Sequence, residues 1–230
     1  MRLSLSRPPT RTLALAATTA TAAMPLALTV PAFPAHAATT TWKVVNPAAD
    51  GRFNALSTGS VTIKNKAGMV LLTCSKVQTW GDMASKTTTD PKPVLAVSET
   101  LSVGASPPCV RPDGTPALLT GTTSTGVGRF YYTATGHDSA TGTTTLTGTK
   151  SSPYGVSILA PDCRFSLNSI TASYNNSSHT LRYTSAAATP FTDANQDGST
   201  GCPGVSASEI VTLTAEFKVD PGIKITRTVS

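Results

Sequence analysis

Along most of the chain, hydrophobic and polar residues alternate one by one, the period that predicts β-strands with one packed and one wet face. The clearest run lies near the C-terminus, where one face would carry Val211, Leu213, Ala215, Phe217 and Val219 and the other Thr212, Thr214, Glu216 and Lys218. No helical period extends far from Ala38 onward. The pattern predicts strands at Thr40–Val45, Gly59–Lys64, Met69–Ser75, Val94–Val103, Val127–Thr135, Thr143–Thr149, Tyr154–Leu159, Phe165–Tyr174, Thr180–Thr184, Ile210–Val219 and Ile223–Thr228.

Three segments are predicted to form hairpins, because Asn, Asp or Gly residues stand between β-prone flanks. They span Val61–Leu72, Tyr132–Leu146 and Ile170–Leu181. The stretches rich in Gly, Pro, Ser, Thr and Asp are interpreted as ordered loops, at Gly81–Pro93, Gly104–Pro116 and Ser185–Val205. Antiparallel strands without helices predict an all-β fold, namely an antiparallel β-sandwich, with a β-barrel as the alternative.

The first 37 residues carry a different pattern, typical of an export signal. Three arginines come first, Leu13–Val30 is apolar and uncharged, and Ala35 and Ala37 supply the small residues of a cleavage site. This arrangement predicts a secretory signal peptide over residues 1–37, cleaved before Ala38. Thr and Pro residues interrupt the apolar stretch, so a membrane anchor is the less favoured interpretation. We therefore expect a single secreted β domain over residues 38–230, of 230 − 37 = 193 residues, without a transmembrane anchor.

Composition and charge indicate the type of secondary structure and argue against one class of partner. From Ala38 onward the chain has 34 Thr and 22 Ser, while 13% of the whole sequence is charged. This favours strands over surface helices, which need charged residues on their wet face. Without Arg2, Arg7 and Arg11 the formal net charge falls from +6 to +3, that is, 15 basic against 12 acidic residues. A nucleic-acid partner is therefore not expected.

All four cysteines lie after the predicted cleavage site, and an even number in an exported domain predicts disulfides. Four cysteines allow three pairings. We favour Cys74 with Cys109 and Cys163 with Cys202, because sequential pairing closes loops of 109 − 74 = 35 and 202 − 163 = 39 residues within each half. Loop entropy would make each bridge worth roughly 4 kcal/mol. A zinc site is disfavoured, since the chain has no CxxC motif.

Several short segments occur in a suggestive order: Leu72-Thr-Cys74, Cys109-Val-Arg-Pro-Asp-Gly, His137-Asp-Ser-Ala-Thr-Gly-Thr, Ala160-Pro-Asp-Cys163, Tyr174-Asn175 and Gly201-Cys202-Pro-Gly204. In this order the chain resembles the small secreted four-cysteine β-rich proteins of actinobacteria, from Ser57 to the end. The order of the cysteines is the most specific part. The resemblance implies export, a β-fold and two disulfides. It carries no known activity and transfers no functional residue.

One segment has the spacing of a calcium loop. Asp193, Asn195, Asp197 and Ser199 occupy alternate positions, with a Gly at the sixth position. Position 12, where a bidentate Glu is expected, is a Gly, so water or Glu209 would have to complete the shell. The alternative is a polar turn beside a disulfide. Calcium is the one cofactor that this sequence suggests.

Catalytic patterns are poor. His137 precedes Asp138 in a predicted turn, where adjacent side chains do not form a base and its orienting partner, and no Gly-x-Ser-x-Gly motif exists. Carboxylates are plentiful, but nothing in the sequence pairs two of them across a cleft, as a glycosidase requires. We therefore expect a protein that is not an enzyme.

Aromatic residues on strands offer a surface for stacking sugars, although most of them are expected in the core. Trp80 is the exception, because it precedes Gly81-Asp82 in a predicted loop just after a cysteine-bearing strand. We expect a secreted binding or cell-surface-associated protein whose partner is a cell-wall polysaccharide or another secreted protein. The alternatives are a protein-directed factor such as a secreted inhibitor, and an extracellular hydrolase.

Overall fold

The computed structural model describes residues 38–103, 106–120, 122–123, 126–127, 129–150, 156–161, 163–190, 202, 204–206 and 209–230. These residues contain eighteen β-strands and no helix, and hence no helix able to span a membrane. The strands are β1 (Thr40–Val45), β2 (Arg52–Ser57), β3 (Val61–Lys64), β4 (Val70–Cys74), β5 (Lys76–Asp82), β6 (Lys86–Thr88), β7 (Val94–Val103), β8 (Cys109–Val110), β9 (Pro116–Thr120), β10 (Thr122–Thr123), β11 (Gly126–Val127), β12 (Phe130–Asp138), β13 (Thr143–Lys150), β14 (Val156–Ala160), β15 (Cys163–Asn175), β16 (Thr180–Pro190), β17 (Glu209–Asp220) and β18 (Lys224–Val229).

Three long neighbouring strands, β15, β16 and β17, form the middle of the main sheet. β16 pairs antiparallel with both β15 and β17. The two ends of β17 have different further partners, since Phe217 lies opposite Ser57 in β2 whereas Leu213 lies opposite Ile63 in β3. β15 likewise pairs with β13 through its C-terminal half and with β14 through its N-terminal half. The sheet therefore divides into two parts that share these three strands.

Each part closes on itself through antiparallel pairing. The first ring runs β13-β12-β7-β5-β2-β17-β16-β15 and closes where β15 pairs with β13. The second ring runs β3-β4-β8-β9-β14-β15-β16-β17 and closes where β17 pairs with β3. The predicted all-β antiparallel fold is confirmed. Each part of the sheet closes by pairing of its outer strands, as in the β-barrel that the sequence offers as the alternative. Such closure removes unpaired edge strands, which are otherwise sites of aggregation.

Alternation along the strands fills the rings with large side chains. The predicted inner face of β17 is buried throughout, from Val211 to Val219. In the first ring, Tyr183 packs against Phe217 and stacks with Tyr132, with ring centroids 4.8 and 6.3 Å apart. The phenolic oxygens of Tyr132 and Tyr183 lie 2.7 Å apart and share a hydrogen bond. Because side chains fill this interior, binding surfaces are to be sought on its outer faces.

A separate three-stranded sheet has the order β18-β1-β6. Its largest side chain, Trp42 in β1, is buried, and the Arg227 guanidinium lies 5.6 Å from the centroid of its ring. The imidazole ring of His137, from β12, is nearly perpendicular to the same indole, with a centroid distance of 6.3 Å and an interplanar angle of 75°. The sheet is thus anchored against the first ring by aromatic packing and by two hydrogen bonds between the side-chain amide of Asn176 and the backbone of Ile225 in β18.

Both predicted disulfides are present, Cys74–Cys109 and Cys163–Cys202. Cys74 and Cys109 are directly opposite each other in β4 and β8. Structural disulfides of this kind persist in oxidising compartments, so the two bridges indicate an extracellular or otherwise oxidising environment.

The three predicted hairpins are confirmed as β3–β4, β12–β13 and β15–β16. The loop predicted from Ser185 is wrong in its first part, because β16 continues to Pro190. Ala186 and Ala188 are buried there between β15 and β17. Pairing on both sides overrides the low strand propensity of Ala.

The other two predicted loops also contain short strands. β6 lies within Gly81–Pro93, and β8 lies within Gly104–Pro116. The sequence pattern does not predict β2, β5, β9 or β10 either, although β2 and β5 both belong to the first ring. These two omissions matter most, because the candidate site is built on them.

Candidate functional site

Trp80 lies in strand β5, so its predicted position in a loop is wrong. Gly81 and Asp82, which look like a turn in the sequence, are the last two residues of that strand. Pairing of β5 with β2 on one side and with β7 on the other extends the strand through them. Thr79 faces the interior and is buried, whereas Trp80 faces outward and is half-buried. Trp80 is therefore a surface aromatic residue on a rigid sheet.

The cross-strand register places Trp80 in the middle of a row of polar side chains. Asn54 lies opposite Trp80, and Trp80 lies opposite Glu99. Arg129 comes next, because the following residue, Phe130, is the partner of Ser98. The Nε atom of Arg129 donates a hydrogen bond to Oε1 of Glu99 at 2.9 Å. The row therefore crosses four strands, from β2 to the start of β12.

A second row lies two residues further along the same strands. Arg52 is opposite Asp82, Asp82 is opposite Val97, and Val97 is opposite Tyr131. Tyr131 is 40% exposed, although both of its neighbours in β12 are buried. The eight residues of the two rows are named the Trp80 face: Arg52, Asn54, Trp80, Asp82, Val97, Glu99, Arg129 and Tyr131. All of them except Tyr131 line a shallow depression of about 390 Å³.

Hydrogen bonds orient the polar groups of this face. Nε2 of Gln78 donates to Oδ1 of Asn54 at 2.8 Å, which leaves Nδ2 of Asn54 as a donor to the outside. Glu99 binds Arg129 through Oε1, so its Oε2 remains an acceptor. The Glu99 side chain is 19% exposed, which limits its freedom. The outward donor of Asn54 and the free acceptor of Glu99 are thus oriented before a ligand arrives, and this lowers the entropy lost on binding.

The charges of the Trp80 face cancel. It carries two cations, Arg52 and Arg129, and two anions, Asp82 and Glu99. Arg52 also lies near Asp50, with Nε 3.9 Å from Oδ2, in an exposed pair. No hydrogen bond or ion pair from the described residues reaches the carboxylate of Asp82. A balanced set of donors and acceptors around an indole suits an uncharged ligand with many hydroxyl groups.

Gly81 allows the two strands beneath the face to approach each other. A Cβ atom at this position would lie 1.9 Å from the carbonyl oxygen of Val97 and 2.7 Å from Cα of Ser98. Both are backbone atoms of β7, which cannot turn aside as the end of a side chain can. Only glycine fits, and it thereby positions Trp80 against β7.

The candidate calcium ligands Asp193, Asn195, Asp197 and Ser199 lie outside the described residues, so calcium binding there stays a prediction. Glu209, considered as an additional ligand, has a structural role. Among the described residues, no group of three or more His, Cys, Asp or Glu side chains is placed to hold a metal ion.

Glu209 joins two segments of backbone. Its Oε1 accepts a hydrogen bond from the N–H of Lys66, and its Oε2 accepts one from the N–H of Ser206, both at 2.8 Å. These bonds, that from Lys66 first, lower the pKa of the Glu209 carboxyl group. Glu209 thus ties the β3–β4 turn to the segment before β17.

His137 and Asp138 bind different partners. Asp138 accepts hydrogen bonds from Oγ1 of Thr141 at 2.8 Å and from the N–H of Ala140 at 2.9 Å, and these lower its pKa. Nδ1 of His137 lies 2.9 Å from Oγ1 of Thr144. Partial burial lowers the pKa of His137. Both side chains therefore serve the β12–β13 hairpin.

Comparison of the chain with protein-family models, with curated proteins and with solved structures finds no match. The sequence singles out Trp80 as a ligand-binding residue but does not group it with the other seven residues of its face. Their signal was the alternation within β2 and β7, but alternation does not reveal which strands become neighbours.

Proposed function

We propose that this protein is a secreted, non-enzymatic binding protein whose Trp80 face binds a neutral polysaccharide of the cell wall or cell surface. The observation that supports this proposal is a half-buried indole on a rigid strand face, surrounded by planar polar groups whose charges cancel. The loose order of segments shared with secreted four-cysteine proteins of actinobacteria is consistent with it, but supplies no residue role.

Such a face can contact a sugar ring both at its flat side and at its edge. The C–H groups on the flat side of a pyranose pack against an indole, whose large surface supplies most of the contact energy. The hydroxyl groups at the edge of the sugar then reach side chains that stand beside the indole. Asn54 donates, Asp82 accepts, and Glu99 accepts through its second oxygen.

Export is part of the same proposal. The apolar N-terminal pattern ending in Ala35-His36-Ala37 and the two disulfides both favour the outside of the cell. Cell-wall and surface polysaccharides are found there. Outside the cell, a binding protein without a catalytic centre acts as an adhesion factor or as a cell-wall-associated factor.

Affinity for insoluble polysaccharides tests the proposal. The folded protein of residues 38–230 is incubated with purified cell wall, chitin and cellulose, and the bound fraction is measured. Trp80→Ala should abolish binding. The matched control is Ile210→Ala, because Ile210 is 59% exposed and lies in the part of β17 that does not pair with β2, the strand next to Trp80. The proposal fails if the wild-type protein binds none of these polymers, or if Trp80→Ala binds as well as Ile210→Ala.

Hydrolysis is a second candidate, favoured by one observation. Asp82 and Glu99 lie on adjacent strands, two residues apart in register, so that these diagonal neighbours are ~7–8 Å apart, with their Cβ atoms somewhat closer. Inverting glycosidases hold their two carboxyl groups about 6.5–9.5 Å apart. Binding is the better proposal because Glu99 is paired with Arg129, and because Asp82 and Glu99 lie side by side on one sheet face, whereas the two carboxyl groups of a glycosidase flank the bond that is cleaved.

The two candidates are separated by looking for new reducing ends. If the face only binds, the amount of soluble reducing sugar stays at the level of the polymer alone after long incubation. If it hydrolyses, reducing ends accumulate and Glu99→Gln stops their release while binding through Trp80 continues. That second result would replace the binding proposal.

A further inference from the structure

We infer that the Trp80 face binds at least two sugar units of one neutral chain, with Trp80 and Tyr131 as separate stacking platforms. This inference rests on the proposed function. It adds that the polysaccharide is linear and that it crosses the face along one diagonal. Tyr131 is the second exposed aromatic residue of the face, and its neighbours Phe130 and Tyr132 both point into the core.

The register of the strands sets the distance between the two platforms. β5 and β12 are separated by β7, so they lie two strand spacings, ~9.6 Å, apart. Trp80 is opposite Glu99 and Tyr131 is opposite Val97, an offset of two residues or ~6.8 Å along the strands. The two Cα atoms are therefore ~12 Å apart along a diagonal. One pyranose ring does not cover this span, so each aromatic ring contacts a different sugar unit.

The path between the two platforms crosses β7 between Val97 and Glu99. Val97 is half-buried, so only part of its apolar side chain is exposed to the path. Glu99, held by Arg129, lines the other side of the path with its second carboxylate oxygen. A chain lying on this diagonal would thus meet an aromatic ring, an apolar surface with one hydrogen-bond acceptor beside it, and a second aromatic ring. This alternation of stacking and polar contact suits an extended oligosaccharide.

The charges of the Trp80 face determine which class of polysaccharide it binds. The two arginines and the two acids of the face balance, and Arg129 is already paired with Glu99. A polyanionic sugar would leave Asp82 facing like charge, which is unfavourable. A cationic chain would meet like charge at Arg52, because the pair of Arg52 with Asp50 is long and exposed, at 3.9 Å, and screens that charge only weakly. The ligand class that remains is a linear neutral polysaccharide.

The dependence of affinity on chain length tests this inference. Calorimetry measures binding of neutral oligosaccharides of one to six units, taken from the polymer that binds best, and of an anionic oligosaccharide of equal length. For the wild-type protein we expect affinity to rise until both platforms are occupied. Tyr131→Ala should match the wild-type protein for the shortest ligand and bind the longest one about tenfold more weakly. Tyr131→Phe keeps the ring and should restore the length dependence.

The outcomes separate the inference from the proposed function. If Trp80→Ala abolishes binding but Tyr131→Ala weakens every length equally, or none, the two-platform arrangement is wrong and the Trp80 site stands. If the anionic oligosaccharide binds more tightly, the neutral class is wrong. If the wild-type protein binds no oligosaccharide and no polymer, the proposed function fails, and this inference fails with it.

Discussion

The hydroxyl group of Tyr174 takes the place of a neighbouring strand for Ile223: it donates to the Ile223 carbonyl oxygen at 2.7 Å and accepts from the Ile223 N–H at 3.0 Å. Asn176 does the same two residues later, with its side-chain amide bound to both backbone groups of Ile225 at 2.7 and 2.9 Å. Side chains from the β15–β16 hairpin thus satisfy the backbone at the edge of β18. An edge strand satisfied in this way is less open to pairing with another chain.

Tyr174→Phe should lower the free energy of unfolding by about 1–3 kcal/mol, because it leaves a buried N–H and a buried carbonyl of Ile223 without partners. Denaturant unfolding measures the change. Tyr131→Phe is the control, since this tyrosine is partly exposed and its hydroxyl makes no hydrogen bond to the described residues. Equal stability of the two variants would show that the Tyr174 hydroxyl does not hold β18.

Alkaline pH should destabilise the fold through its buried tyrosines. Burial raises the pKa of Tyr174 to about 12, and burial raises the pKa of Tyr132 and of Tyr183. A phenol that is exposed in the unfolded chain titrates near 10. Because the folded pKa values are higher, the stabilisation is fully present below pH ~10 and is lost as pH rises from there toward 12.

This pH dependence is measured by denaturant unfolding at several pH values, with phenolate absorbance followed in parallel. Each buried tyrosine should contribute a slope of up to about 1.4 kcal/mol per pH unit above pH ~10. Tyr132→Phe with Tyr183→Phe should reduce this slope. A free energy of unfolding that stays constant from pH 9 to about pH 11.5 would contradict the prediction.

The sequence predicts the strands better than it predicts their neighbours. β1 and β7 have the predicted bounds, because each is a clear run of β-prone residues with turn residues on both sides. The sequence predicts a loop at Trp80, because the Gly-Asp pair that follows it is a common turn signal. In the structure the same Gly81 is needed inside the strand by the close approach of Val97, a contact between residues far apart in the sequence.

The candidate site depends even more on long-range pairing. Asn54, Trp80 and Glu99 lie in one row only because β2, β5 and β7 are adjacent in the first ring. Local alternation sets which face each side chain occupies, but the order of strands comes from packing of the whole core. The disulfides were easier to predict, since sequential pairing of four cysteines needs no crossing between the two halves.

Gly81→Ala should destabilise the protein by about 1–3 kcal/mol or more, because the added methyl group meets the backbone of β7. It should also weaken polysaccharide binding by moving Trp80. Gly59→Ala is the matched control, since nothing lies within 4 Å of a Cβ atom there. Thermal unfolding and binding are measured for both variants. If Gly81→Ala behaves like Gly59→Ala, the close approach of β5 and β7 does not constrain this position.

The calcium prediction for Asp193–Ser199 is tested through stability. Binding to the native state alone raises the melting temperature, so calcium should raise it and magnesium should not. Asp197→Ala should remove the rise. Glu209→Gln tests the additional ligand: a rise equal to that of the wild-type protein would show that Glu209 stays with Lys66 and Ser206. Absence of any calcium-dependent shift at about 10 mM would leave the segment as a polar turn.

Both disulfides should resist reduction until the protein unfolds. Thiol exchange requires access to a sulfur atom, and all four cysteines are at most 5% exposed. We expect dithiothreitol to leave the native mass unchanged and to add four hydrogens in guanidinium chloride.

Removing one bridge measures what it contributes. Cys74→Ser with Cys109→Ser should lower the free energy of unfolding by roughly 4 kcal/mol, the loop-entropy value for a loop of this length. The pair Cys163 and Cys202 encloses a loop of similar size, 39 against 35 residues, so its removal should cost nearly as much.

In the reduction experiment, rapid reduction of either bridge in native buffer, at a rate independent of added denaturant, would contradict the buried position of its sulfur atoms.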